Sequence, residues 1–417
     1  MTSKVFSIVG GVQSYDWGKI GSKSKAAQFA SKGGIPNFTI DNFKPYAELW
    51  MGTHPTVPSH LASTNETLSS YIASSPESLI GPNVLNAFPS AQKGNLPFLF
   101  KILAIGKALS IQAHPHKELA EKLHAERPDL YKDPNHKPEM AIALTPFTAL
   151  CGFRPPPQIA TFLSVVPEFA SLIPPTILTS FQAVSSLPPS NPELKAALRD
   201  VFAALMTAPA EEVKNRLSML VGRYKSGGWV EEEEDVKDWA VKLDEQFPSD
   251  IGVFCVYVLN IVKLKPGEAI FLGAGEPHAY LEGDIVETMA TSDNVLRAGL
   301  TPKVRDVPNL VSSLTYTAAD PSHHIVYPTA SPKSPNTLIY DPPIPEFVVS
   351  KTNLGGGDTD ALESVEGPSI AIVTGGSAKI GELDVAEGSV VFVGAGEEVA
   401  VQAGNAGLEV FRAFVEA

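Results

Sequence analysis

The stretch FLGAGEPHAY, residues 271–280, is echoed by FVGAGEEVAV at 392–401. Extending the match to PGEAIFLGAGEPHAY and EGSVVFVGAGEEVAV pairs Phe271 with Phe392, Gly273 with Gly394 and Gly275 with Gly396. Short apolar runs on either side of a glycine turn read as strand, turn, strand. Similarity that persists over about fifteen residues reads as internal duplication. His278 falls opposite Val399, so the pattern predicts a doubled β-fold in which only the first copy carries a ligand.

Working outward, 417 residues exceed one ordinary core, and 44% apolar content suits a folded chain of two or three domains. The 36 prolines and 32 glycines lie mostly between short apolar runs, which favours many turns and short strands. A formal net charge of -14 without a basic block argues against nucleic acid or an acidic membrane as partner. Any anionic ligand must then find a local group of cations. Cys151 and Cys255 both sit in apolar stretches and read as buried thiols, which points to a reducing, cytoplasmic setting. No window approaches the roughly 20 apolar residues of a membrane span, and no signal-peptide pattern opens the chain.

Residues 1–153 alternate apolar runs with turn signals, as antiparallel strands do. One helix is expected inside HPHKELAEKLHAERPDL, with Leu119 and Leu123 on one face and His124 solvated. From about 155 to 250 the texture becomes helical: NPELKAALRDVFAALM, PAEEVKNRLSMLVGRY and EDVKDWAVKLDEQF space apolar residues by three and four behind Asn, Pro or acidic starts. The acidic run EEEED at 231–235 is expected to be a solvated helix start. Strand-like text returns after Phe254. The expected organisation is mainly β with a helical insertion: 1–153 joined with 251–325 as the site-bearing domain, 154–250 helical, and 326–417 a second β-domain without a metal site.

Chemistry concentrates in the strand-like segments. In ALSIQAHPH a period of two sets Leu109, Ile111 and Ala113 against Ser110, Gln112 and His114. A polar row beside an apolar run must face a pocket or water. In KDPNHKPEMAIAL, Met140, Ile142 and Leu144 form one row and Glu139, Ala141 and Ala143 the other, small residues that leave space beside the carboxylate. His278, Tyr280 and Glu282 share another face. Gln112, His114, Glu139 and His278 together offer nitrogen and oxygen ligands suited to zinc with a coordination position left open. His116 and His136 compete for ligation on spacing alone.

The segments QSYDWG, YAELWMGTHP, FLFKILAIGKALSIQAHPHKELAEKLH, YKDPNHKPEMAIAL, LKPGEAIFLGAGEPHAYLEGDIVE and SDNVLRAGLTPK, in that order, resemble the type I mannose-6-phosphate isomerases. These are the zinc-dependent phosphomannose isomerases of the cupin superfamily, and the likeness covers nearly the whole chain. It implies two cupin, or jelly-roll, β-barrels with an inserted all-α domain. It implies one zinc ion held by Gln112, His114, Glu139 and His278, and an aldose–ketose isomerase that interconverts mannose 6-phosphate and fructose 6-phosphate through an enediol. That activity supplies mannose 6-phosphate for GDP-mannose, glycosylation and cell-wall synthesis. Arg297 matches the family's active-site arginine. Glu287 and Lys137 are candidates for proton transfer, Ser110 and Lys303 for phosphate contact, and Lys101, Trp17, Glu48 and Tyr280 for further substrate contacts. The expected partner is a phosphorylated hexose bound by a cytoplasmic monomer. Two other classes suit two histidines and a glutamate: a non-haem iron dioxygenase of the cupin type, and a non-catalytic bicupin.

Overall fold

The computed structural model describes residues 3–417. Two large antiparallel sheets dominate, one of eleven strands and one of ten, with helices gathered between residues 156 and 246. The class is therefore mixed α and β, as the texture of the sequence predicts.

The repeated stretch folds as the same unit twice. Strand Ala269–Leu272 turns into His278–Ala290, and Val390–Val393 turns into Val399–Phe414. The glycines sit in matching left-handed conformations: φ is +88° at Gly267 and +92° at Gly388, then +74° at Gly275 and +76° at Gly396. Only glycine adopts such angles without a Cβ penalty, so the local sequence encodes the turn in both copies. His278 and Val399 each open the second strand. The copies differ in their surroundings. A Cβ on Gly275 would lie 2.6 Å from the Ser313 carbonyl oxygen, whereas one on Gly396 would meet nothing within 4 Å. Gly396→Ala should therefore cost only the backbone strain, roughly 1–2 kcal/mol. Gly275→Ala should cost more than that and also lower the metal content, because the Gly275 N–H donates to the His114 carbonyl at 2.8 Å. Urea unfolding and metal analysis of both variants check this.

Strand Phe98–Ile105 explains how the eleven-stranded sheet buries a polar side chain. All eight residues are buried. Phe98, Phe100, Ile102 and Ala104 join the apolar layer between the two sheets. Leu103 and Ile105 point the other way with Ala141, Ala143 and Ile285. Alternation puts Lys101 on that inner row. Strand Glu139–Ala143 divides likewise, with Met140 and Ile142 in the intersheet layer and Ala141 and Ala143 on the opposite row with Leu103 and Ile105. A strand covered on both faces reads as a continuous apolar run, which accounts for the texture of FLFKILAI.

The helical segment packs into one core with the site-bearing strands, Leu194, Leu198, Val201, Phe202 and Leu205 of helix Pro192–Met206 sharing it with Ile111, Ala113, Leu150 and Ala279. Asn191 caps that helix, accepting from the Glu193 and Leu194 N–H groups. Helix Lys117–Glu126 buries Leu123, half-buries His124 and is capped by His116. Cys151 and Cys255 are free, buried thiols. No helix among the described residues is long and apolar enough to cross a membrane.

One expectation needs correction. Glu233, inside the acidic run taken as solvated, is fully buried and accepts hydrogen bonds from Arg223 and Tyr224. Its partners come from another helix, so the local run carries no sign of them. Strand Val5–Val9 joins the two β-regions by pairing with Val390–Val393 in the ten-stranded sheet. Alternation specifies a strand but not which sheet receives it.

Candidate metal and substrate site

His114, Glu139 and His278 converge with one potential ligand atom each, all within 4.8 Å of one another. Glu139 Oε1 lies 3.4 Å from His114 Nε2, and its Oε2 lies 3.3 Å from His278 Nε2. Strand pairing assembles the three. Glu139 is in register with Leu272 and Met289, while His278, beyond the glycine turn, is in register with Gln112.

Both imidazoles are oriented from behind. His114 Nδ1–H donates to the Asn294 carbonyl at 2.7 Å, and His278 Nδ1–H to the Glu276 carbonyl at 2.9 Å. Each ring thereby turns its Nε2 toward Glu139, the nitrogen left free for a metal in the Nδ1–H tautomer. Asn294 is itself held by amide donation to the Asp133 and Asn135 carbonyls. Both Nε2 atoms are buried and have no hydrogen-bond partner. Buried polar atoms are rarely left unpaired, so a missing ligand is implied. Burial lowers the His114 pKa to about 4 and keeps the ring neutral. Burial disfavours the Glu139 carboxylate, but Lys137 and His114 outweigh it and hold the group well below its usual range. Two imidazoles, one carboxylate and a neighbouring amide fit a zinc site with an open position.

Gln112 extends this cluster sideways. Its strand lies between those of His278 and Arg297, with Gln112 in register with both. Side chains paired in this way stand about 5 Å apart on one face. Among the described residues the Gln112 side chain makes no hydrogen bond. Two residues back along the strand, about 7 Å, Ser110 opens onto a cleft of about 550 Å³. Trp17, Arg297 and Lys303 also line it, and Trp17 stacks on Tyr15 at 5.8 Å. Neither Arg297 nor Lys303 forms a side-chain ion pair or hydrogen bond among the described residues. Burial alone lowers the Arg297 pKa, with no carboxylate to oppose it.

The remaining expected residues lie deeper. Lys101 is buried 3.3 Å from Glu287 and 3.8 Å from Glu48, over the Trp50 ring. Burial pushes Glu287 up to about 7, against the pull of Lys101. Tyr280 is buried too, donating to Glu139 Oε2 at 3.4 Å. Lys137 lies 3.1 Å from Glu139 Oε1. Ser110, Lys303, Trp17 and Arg297 thus line the open cleft, while Lys101, Glu48 and Tyr280, also expected as substrate contacts, are buried, Lys101 between Glu48 and Glu287 and Tyr280 on Glu139. Their strands carry apolar neighbours on both faces, and alternation cannot tell an inner wall from an open one. The competing histidines are otherwise engaged: His116 caps its helix, and His136 pairs with Glu346. The sequence reading passed over Asp293, which His54 approaches at 3.4 Å and which is held low by that histidine, Lys137 and Lys101. It stands beside Asn294 in the SDN motif, a signal that could have drawn attention to it.

Comparison with known proteins agrees across the chain. Residues 5–156 match the family described as phosphomannose isomerase type I, catalytic domain, residues 172–259 its helical insertion domain and residues 337–381 its C-terminal region. The mannose-6-phosphate isomerase of Cryptococcus neoformans is 50% identical, covering 100% of both chains. A crystal structure of a phosphomannose isomerase mutant from Salmonella typhimurium superposes with a TM-score of 0.82 at 32% identity, again over 100% of both chains. That series replaces with alanine an arginine, two glutamates, a histidine and two lysines. A zinc-bound mannose 6-phosphate isomerase superposes with a TM-score of 0.81 at 31% identity, covering 100% of both chains. The chain belongs to the type I phosphomannose isomerase family.

Proposed function

We propose that this protein interconverts mannose 6-phosphate and fructose 6-phosphate at the His114, Glu139 and His278 centre. The observation that carries the reading is the pair of buried, partnerless Nε2 atoms beside a cleft with two unpaired cations. A dioxygenase or a non-catalytic bicupin is not favoured, because the full-length relatives bear the isomerase name.

The reaction moves a proton between C1 and C2 of the open-chain sugar, so it needs an electrophile, a proton carrier and a phosphate anchor. Zinc, held by His114, Glu139, His278 and Gln112, would supply the electrophile at the sugar oxygens. Arg297, permanently charged and on the same sheet face as Gln112, favours the negative charge of the enediolate. Lys303 and Ser110 receive the phosphate further out, and Trp17 covers the sugar. Glu287 is assigned the proton because burial brings its carboxyl near neutrality, where it can both accept and return one. Lys137 is the second candidate, and Lys101 with Glu48 fixes the charge around Glu287.

The spacing of the substituted residues in the Salmonella series supports these assignments. Its arginine follows one glutamate by ten residues, as Arg297 follows Glu287. The other glutamate follows a lysine by two, as Glu139 follows Lys137, and the histidine follows the second lysine by thirteen, as His114 follows Lys101.

The proposal includes one zinc ion per chain, since one such cluster is found among the described residues. It also includes a monomer in the cytoplasm without nucleic-acid or membrane partners, supported by the free thiols and the charge of -14. The expected division into 1–153 with 251–325, 154–250 and 326–417 stands in the same proposal. A coupled assay for fructose 6-phosphate, run before chelation, after it and after zinc is restored, tests the activity. Turnover should vanish and return; turnover indifferent to thorough metal removal overturns the mechanism.

A further inference from the structure

The helical segment ends against the cleft at Asp250. Its Oδ1 accepts the Gly252 N–H at 2.7 Å, capping the short helix Ile251–Tyr257. The same oxygen accepts the Leu300 N–H at 2.7 Å, and Oδ2 accepts the Thr301 N–H at 3.1 Å. One carboxylate thus takes three backbone donors from two segments fifty residues apart, each bond strengthened by its charge.

The segment it grips does not hold its shape alone. Leu300 has φ +52°, a left-handed conformation that a leucine resists. Gly252 and Gly299 touch backbone to backbone: a Cβ on Gly299 would lie 2.5 Å from the Gly252 Cα. Thr301 Oγ1 then accepts the Lys303 N–H at 3.1 Å. The clamped turn stands between Arg297 and Lys303, the two cations of the cleft, and it lines the same cavity.

We infer that Asp250 is the positioning residue of the phosphate end of the cleft. It holds residues 299–303 in the strained turn that brings Lys303 to the ligand, while Arg297 is held by its own strand's pairing with Gln112. Both its oxygens are occupied by backbone donors, so it acts through the loop and does not touch substrate. The inference rests on the sugar-phosphate reading above.

Charge and positioning make opposite predictions. Asp250 is an anion beside an anion site, so on charge alone its neutralisation would tighten phosphate. Asp250→Asn keeps an Oδ1 acceptor for Gly252 and Leu300 but turns an amide donor toward the Thr301 N–H. We expect KM for mannose 6-phosphate and the inhibition constant of inorganic phosphate to rise together about tenfold. Turnover at saturation should stay within about twofold, with zinc content unchanged. Asp250→Glu, which keeps the charge and loses the geometry, should shift both constants in the same direction. A fall in KM, or a loss of turnover with KM intact, overturns the inference. If neither variant folds, amide exchange in the unmodified enzyme decides: inorganic phosphate should slow exchange across 299–303, and no change there rejects the assignment. Absence of isomerase activity in the unmodified protein would instead sink the underlying reading.

Discussion

His278→Ala should lose its zinc and reduce kcat/KM for mannose 6-phosphate about a thousandfold, while the metal-free protein remains folded. The His278 Nε2 makes no hydrogen bond within the protein, so the native packing forfeits the ring and the single Nδ1–H bond to the Glu276 carbonyl. The chemistry loses far more. An electrophile at the reacting oxygens contributes several kcal/mol to the transition state, and about 4 kcal/mol corresponds to three orders of magnitude. Stability should reveal the same asymmetry. Zinc that binds only the native state raises the melting temperature of the unmodified enzyme, and His278→Ala should lose that response. Elemental analysis, steady-state kinetics and melting with and without zinc test the three parts together. Full zinc content with full activity in the variant would remove His278 from the site.

Arg223→Met should destabilise the helical segment by about 3–5 kcal/mol, a large share of the roughly 5–15 kcal/mol that holds a typical domain. Arg223 donates twice to Glu168, both at 2.9 Å, and twice to Glu233, at 2.7 and 2.8 Å. A fifth bond at 2.7 Å reaches the Gly228 carbonyl. Glu168 is 5% exposed and Glu233 0%. Removing the guanidinium strands two buried carboxylates, and their desolvation sets the size of the effect. Neutralising the carboxylates as well, in Arg223→Met with Glu168→Gln and Glu233→Gln, should recover part of the loss. Urea unfolding of both variants gives the comparison. Equal stability of Arg223→Met and the unmodified protein would mean that water reaches these carboxylates.

Much of the site was legible before any coordinates. The row Ser110, Gln112, His114 follows from a period of two, and that polar row does run from the open cleft to the metal cluster. The glycine turn that delivers His278 follows from φ angles only glycine adopts freely, which is why its echo at 394–396 folds alike without carrying a ligand. The three long helices follow from apolar spacing and start signals. Asp293 and its contact with His54 escaped notice, as did the ion pairs that bury Lys101 against Glu287 and Glu48. Lys101 looks like a solvated cation until the strand that carries it is covered on both faces.

Those successes and failures separate along one physical line. Strand alternation, glycine turns and helix starts depend on dihedral preferences and side-chain spacing within about ten residues, so the chain alone determined its β-units, its helical insertion and the rows on which ligands stand. Which sheet takes Val5–Val9, which carboxylate meets Arg223 and which carbonyl turns His114 toward Glu139 depend on contacts between segments far apart in the chain. Only tertiary packing decides these, because it brings such groups together and removes the water that would otherwise satisfy them.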